Sequence, residues 1–309
     1  MLRRGLLVAF PTETVYGLGA DARNPAAVAS IFAAKGRPAD HPVIVHLPSQ
    51  SAMAEWAAEV PPMAEALADA FWPGPLTLIL RRAPDVSDAI TGGQDTVGLR
   101  LPNHPVALAL LREFGGALAA PSANRFGRIS PTSAAHVEAE FGDEVAAVID
   151  GGACPVGVES TIVDVTGSRP RLLRPGMILE DSIEAILDVE LEVAGDHQGP
   201  RASGRLESHY APDAPVELVE QPNLTARLDQ CAGQGLRVAV LTRRDPLLDH
   251  LHDVVWTRMP DHPVQYARVL YAELRNADQV RPDRILVELP PHTPGWTAIH
   301  DRLRRAASG

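Results

Sequence analysis

Short aliphatic runs closed by proline or glycine alternate with longer stretches of helical spacing along the chain. The run at residues 5–10, ended by Pro11, predicts a buried strand. Asn24-Pro25 supplies a helix N-cap followed by proline at the first helical position. Val28, Ile31 and Phe32 then fall on one helical face, and Gly36 stops a helix over 25–35. The same reading gives strands at 43–47, 76–82, 97–101, 117–120, 146–149, 160–165 and 171–174. It gives helices at 61–71, 105–114, 133–141 and 181–187. Strands and helices mix without a strict βαβ repeat, which predicts an α/β domain on a mixed sheet rather than a doubly wound one.

Residues 195–215 change character. They carry Gly195, Gly199, Pro200, Gly204, Pro212 and Pro215 and few aliphatics, the composition of a linker. Beyond it, strands at 216–219, 237–241, 254–257 and 284–289 alternate with helical stretches near 224–231, 264–276 and 296–307. That alternation predicts a smaller α/β domain with a parallel sheet. The expected division is therefore 1–193, a linker at 194–214, and 215–309.

Composition narrows the class. Of 309 residues, 45% are hydrophobic and 22% charged, which excludes wholesale disorder. No apolar run reaches the length of a bilayer-spanning helix. The N-terminus reads as a first strand rather than a signal peptide. Cys154 and Cys231 match no ligand spacing, which fits a reducing cytoplasm. Net charge is −11, so no broad basic surface for nucleic acid is expected. Among 28 basic residues only Lys35 is lysine. It lies in Lys35-Gly36-Arg37-Pro38, where an ammonium and a guanidinium two apart on a glycine turn can clamp one phosphate group.

Four segments carry candidate chemistry. Thr12-Glu13-Thr14-Val15-Tyr16-Gly17-Leu18-Gly19 brings hydroxyls, a carboxylate and glycines to a strand's end, where α/β proteins bind ligands. Gly17-Leu18-Gly19 lacks the third glycine of a dinucleotide fingerprint, and no Walker loop exists. The Lys35–Arg37 turn is followed by His41 and by His46, which stands alone among aliphatics. By residue type, His46 is more often a core histidine than a ligand. Pro121-Ser122-Ala123-Asn124 ends a strand of small residues with a hydroxyl and an amide. Glu159-Ser160-Thr161 opens another strand, with Arg174 downstream. An ordinary capped turn accounts for part of each. No activated nucleophile is evident, and the segment from Asp249 to Asp253, with His250 and His252, fits no strong metal site. The residues alone stop at phosphoryl or nucleotide chemistry by positioning and electrostatics.

At these positions the sequence resembles the YrdC-like threonylcarbamoyl-AMP synthases in their longer, two-domain form. The resemblance rests on ordered motifs: residues 10–21, 34–38, 45–47, 71–77, 97–102, 120–124, 158–164 and 173–176. Ser208-His209-Tyr210-Ala211-Pro212 and the stretches 284–288 and 299–303 resemble the long form's C-terminal part. It implies a twisted mixed sheet plus a smaller Rossmann-like α/β domain. It implies that L-threonine, bicarbonate and ATP, the last with Mg²⁺, give L-threonylcarbamoyl-AMP, pyrophosphate and water. A downstream threonylcarbamoyl transferase complex would then modify tRNA. Thr14, His46, Arg100 and Ser160 would bind threonine. Lys35 and Arg37 would act on ATP, with His41, Thr96, Ser122, Asn124, Ser130, Arg174 and Tyr210 as further nucleotide contacts, Tyr210 from a linker that folds as a lid.

Some positions depart from the family pattern. Only four residues precede Gly5, where members usually have a helix. His41 stands where some have asparagine, Ala120 where some have threonine, and Ala202-Ser203-Gly204-Arg205 where Ser-Pro-Gly-Met is commoner. The competing readings are an RNA-binding module with a cationic face, and a carbamoyl-phosphate enzyme on the same fold. The charge and the missing cysteines speak against them in turn.

Overall fold

The computed structural model describes residues 1–195, 199–204, 210–245 and 254–309. The chain divides into two compact units. One comprises Met1–Phe126 and Ser130–Arg205, the other Gly127–Ile129 and Leu206–Gly309. The division falls inside the expected linker, so that segment is shared between the units.

The first unit runs β1 (Val8–Phe10), β2 (Gly17–Asp21), α1 (Pro25–Lys35), β3 (Ile44–His46), α2 (Pro62–Phe71), β4 (Leu76–Arg81), α3 (Asp88–Thr91), β5 (Thr96–Arg100) and α4 (Pro105–Phe114). It continues with β6 (Leu118–Ala119), α5 (Ala134–Phe141), β7 (Ala147–Val148), β8 (Thr161–Asp164), β9 (Arg171–Arg174), α6 (Glu180–Leu187) and β10 (Glu192–Val193). Its strands form one sheet in the order β10-β9-β8-β4-β5-β3-β6-β2-β1-β7. Parallel pairs (β3 with β5, β4 with β8) and antiparallel pairs (β4 with β5, β1 with β2) make it the expected mixed sheet.

Strand alternation separates core from site. Val45 of β3, Leu76, Leu78 and Leu80 of β4, and Val97 and Leu99 of β5 join the main apolar core. Helix α1 packs Ala27, Val28, Ile31 and Phe32 into that core. The other parity of the same strands carries Ile44, His46, Thr77, Ile79, Thr96, Gly98 and Arg100. Helix α1 also sets where its last residue lies. Asn24 Oδ1 accepts from the N–H groups of Ala26 and Ala27, and Gly36 ends the helix in the left-handed region at φ 63°. Lys35, in that last turn, is buried.

Strand β2 differs from the turn the sequence predicts. Its glycines make it a poor strand by propensity. They are needed because the Phe10 ring lies against it: a Cβ on Gly19 would sit 2.7 Å from Phe10 Cε1. A second glycine is as tightly held. A Cβ on Gly176 would lie 2.3 Å from the Thr161 nitrogen and 2.5 Å from its Oγ1. Gly176→Ala is expected to destabilise the protein by about 1–3 kcal/mol through overpacking, read as a lower urea midpoint at unchanged slope.

The second unit contains β11 (Val216–Val219), α7 (Leu224–Gly233), β12 (Val238–Thr242), β13 (Val254–Arg258), α8 (Pro263–Gln279), β14 (Arg284–Glu288) and α9 (Thr297–Ala307). Its sheet, ordered β11-β14-β12-β13, is parallel throughout, as expected. Val219, Leu224, Leu228, Cys231, Val238, Val240 and Leu286 form its core. Tyr210 is buried in this unit, stacked on Tyr271 at 5.5 Å with the Arg302 guanidinium 5.4 Å from its ring. The motif between Asp249 and Asp253, and Arg205, Ser208 and His209, lie outside the described residues. Among the described residues no helix is long and apolar enough to cross a membrane.

Candidate active site

The Lys35 ammonium donates to the carbonyl oxygens of Ser122, at 2.6 Å, and of Asn124. The lysine turn and the Ser122–Asn124 turn are thereby tied at one point. Burial, and the Arg37 charge second, hold Lys35 well below the usual lysine range. Asn124 is buried, and its Nδ2 donates to the Arg125 carbonyl. Ser122 is half-buried. His41, also half-buried, meets Phe126 edge-on at 5.5 Å, and burial lowers its pKa.

A second knot holds the remaining cations. Arg37 Nη2 donates to the Pro42 carbonyl at 2.8 Å and to Ser203 Oγ at 3.2 Å. Arg174 Nη1 donates to the Ser203 carbonyl at 2.8 Å. Ser203 thus stands between two guanidiniums. Arg174 also donates through Nε and Nη2 to the Ser160 carbonyl and through Nη2 to Ser160 Oγ. Ser160 Oγ lies 2.8 Å from Thr77 Oγ1. Gln94 pins Arg201, two residues before Ser203: its Oε1 accepts from Arg201 N at 2.6 Å and its Nε2 donates to Arg201 O at 3.1 Å. Beneath this segment is a small hollow with an apolar floor of Val43, Ile44, Ile79 and Ile162 and with Thr96 in its wall. Gly98 keeps the floor open, since a Cβ there would meet Ile79 at 3.2 Å.

The third group gathers on β3, β5 and the loop after β1. His46 and Arg100 are register partners on parallel strands, so both side chains leave the same face side by side. Arg100 Nη2 is 2.7 Å from Glu13 Oε1, and both side chains are about 5% exposed. Thr14 is fully buried with its Oγ1 2.8 Å from Thr12 Oγ1. The Thr12–Thr14 segment is held in turn by backbone bonds from Val156 N to Glu13 O and from Gly157 N to Thr14 O. Ser130, also buried, donates to Glu159 Oε1 at 2.6 Å. Thr14, His46, Arg100, Ser160, Lys35, Arg37, His41, Thr96, Ser122, Asn124, Ser130 and Arg174 all belong to the first unit, and Tyr210 to the second. Sequence reasoning passed over Glu13, Thr77, Gln94, Glu159 and Ser203 as site-building residues. Glu13 was visible within its motif, but its partner is far away in sequence.

His46 is no ordinary core histidine: its Nδ1 is out of solvent and has no hydrogen-bond partner. Burial, with Arg100 second, pushes its pKa down to about 3. It stays neutral when folded, whereas an unfolded histidine titrates near 6.5. Between those values the unfolded chain binds the extra proton. Stability from this site therefore falls as pH drops through the window, by up to about 1.4 kcal/mol per pH unit. His46→Asn is expected to flatten that slope, as read from urea midpoints measured across the acidic range.

Fold and site together define a two-unit α/β protein whose first unit gathers buried cations, hydroxyls and amides. The Sua5–YciO–YrdC family, described as telomere recombination, matches residues 1–176. The family described as threonylcarbamoyl-AMP synthase, C-terminal domain, matches residues 178–308. A threonylcarbamoyl-AMP synthase of Bacillus subtilis is 42% identical over 316 residues, covering all of this chain and 91% of the relative. One from Pyrococcus abyssi is 41% identical, over 99% of this chain and 92% of the relative. The crystal structure of Pyrococcus abyssi Sua5 complexed with L-threonine superposes with a TM-score of 0.92 at 40% identity, covering 99% of this chain and 92% of that one. The chain belongs to the Sua5–YciO–YrdC family.

Proposed function

We infer that the protein is a threonylcarbamoyl-AMP synthase, converting L-threonine, bicarbonate and ATP into L-threonylcarbamoyl-AMP, pyrophosphate and water. The observation that carries this reading is the adjacency, within one unit, of a buried Arg100–His46 pair beside hydroxyls and a set of phosphate-suited cations. Full-length relatives of the same name support it.

Arg100 would clamp the threonine carboxylate, with Thr14, His46 and Ser160 reading its other polar groups. The threonine ammonium gives up a proton, and the free amine then takes up bicarbonate as a carbamate, releasing water. A carbamate oxygen then attacks the α-phosphorus, and pyrophosphate leaves with the bonding pair. Two anions must meet in that step. Lys35, Arg37 and Arg174 would offset their repulsion and the charge developing on the leaving group, with Ser122, Asn124, Thr96, Ser130 and His41 around the nucleotide. Among the described residues no group of three carboxylate, histidine or cysteine side chains is placed to hold a metal. Mg²⁺ would travel on the nucleotide's phosphates, and no step here depends on a protein ligand for it. The product is a mixed anhydride, so a transferase that passes its acyl group to tRNA is the expected consumer.

The test is pyrophosphate release from ATP with threonine and bicarbonate omitted in turn. Release is expected only when all three substrates are present. Equal release without threonine would refute the assignment.

A further inference from the structure

Glu13 and Arg100 form a buried ion pair that the protein leaves incomplete. Both residues are 4% exposed, and Nη2 and Oε1 are 2.7 Å apart. Beyond that contact, Glu13 Oε2 and Arg100 Nε are out of solvent with no hydrogen-bond partner. Buried polar atoms are ordinarily hydrogen-bonded, and a buried ion pair offsets its desolvation only when its remaining lone pairs and protons are satisfied. The two orphaned sides have opposite sign: a guanidinium edge suits a carboxylate, and a carboxylate suits an ammonium.

We propose that Glu13 receives the α-ammonium of the amino-acid substrate, so that Glu13 and Arg100 together select a zwitterion. The proposal rests on the threonine-binding reading above and deepens it, since that reading leaves the ammonium without a countercharge. The surrounding groups keep the local charge at zero. His46 is neutral, because burial and Arg100 depress it. Cys154, which faces Glu13, is a neutral thiol pushed up to about 12 by burial. His104, also within reach of the Glu13 charge, lies below the usual histidine range and accepts the Val106 N–H through Nδ1. A zwitterion enters this neutral setting without adding net charge. A plain carboxylate adds a negative charge close to Glu13 and is repelled by it.

Calorimetric titration of the full chain with L-threonine and with 3-hydroxybutanoate, its des-amino analogue, separates the possibilities. The wild type is expected to prefer threonine by tenfold or more. Glu13→Gln should weaken threonine binding at least tenfold and leave 3-hydroxybutanoate unchanged or tighter, and Glu13→Asp should recover part of the threonine affinity. Glu13→Gln weakening both ligands alike would make Glu13 a mere support for Arg100 and overturn the proposal. Equal affinity of the wild type for the two ligands would overturn it without recourse to any variant, including one that fails to fold. Absence of threonine binding by the wild type would instead sink the underlying functional reading, and the proposal with it.

Discussion

Lys35→Ala should release pyrophosphate at about a thousandth of the wild-type rate, the loss typical of removing one preorganised charge-stabilising donor. Lys35 is 3% exposed, and its ammonium bridges the Ser122 and Asn124 carbonyls. Truncation removes the positive charge and leaves both carbonyls unmatched, so the two turns are no longer tied. Lys35→Arg should rescue little. A planar guanidinium cannot occupy a space shaped for a compact ammonium between two carbonyls. The loss should fall on turnover, while calorimetric threonine binding persists, because Arg100, His46 and Glu13 do not bond to Lys35. Undiminished turnover in Lys35→Ala would remove this residue from the mechanism.

Arg100→Gln should be costly twice over. It strands the Glu13 carboxylate, about 5% exposed, without its ion partner. Breaking a buried pair from one side costs about 3–5 kcal/mol, which urea unfolding would register as a much lower midpoint. It also removes the guanidinium proposed to clamp the substrate carboxylate, so threonine affinity should fall on the order of a hundredfold. A double variant, Arg100→Gln with Glu13→Gln, should regain much of the stability and none of the binding. That contrast separates the two losses.

The sequence made most of the scaffold legible because its signals are local. The Asn24-Pro25 start and Gly36 stop of α1, and the aliphatic runs of β4 and β5, decide their structure from neighbours alone. Strand β2 was not legible, because its glycines are explained only by the Phe10 ring packed over Gly19. The same division runs through the site. Lys35 and Arg37 announce themselves within one turn, and the family resemblance selected Arg100 and His46. That these two are register partners follows from the pairing of β3 with β5, and the Glu13–Arg100 contact from the path of the chain between β1 and β5. Ser203 gave no sign of standing between Arg37 and Arg174, since hydroxyls in a glycine-proline segment ordinarily mean a turn.

The buried position of the chain's only lysine turns it into a single-site chemical reporter. In the folded protein an amine-selective acylating reagent meets a Lys35 that is 3% accessible and already engaged by two carbonyls. Mass spectra of the peptide that carries Lys35 should therefore show an acyl adduct only after the Lys35 turn opens. The growth of that adduct with time measures how often this corner of the molecule breathes, with no engineered label required.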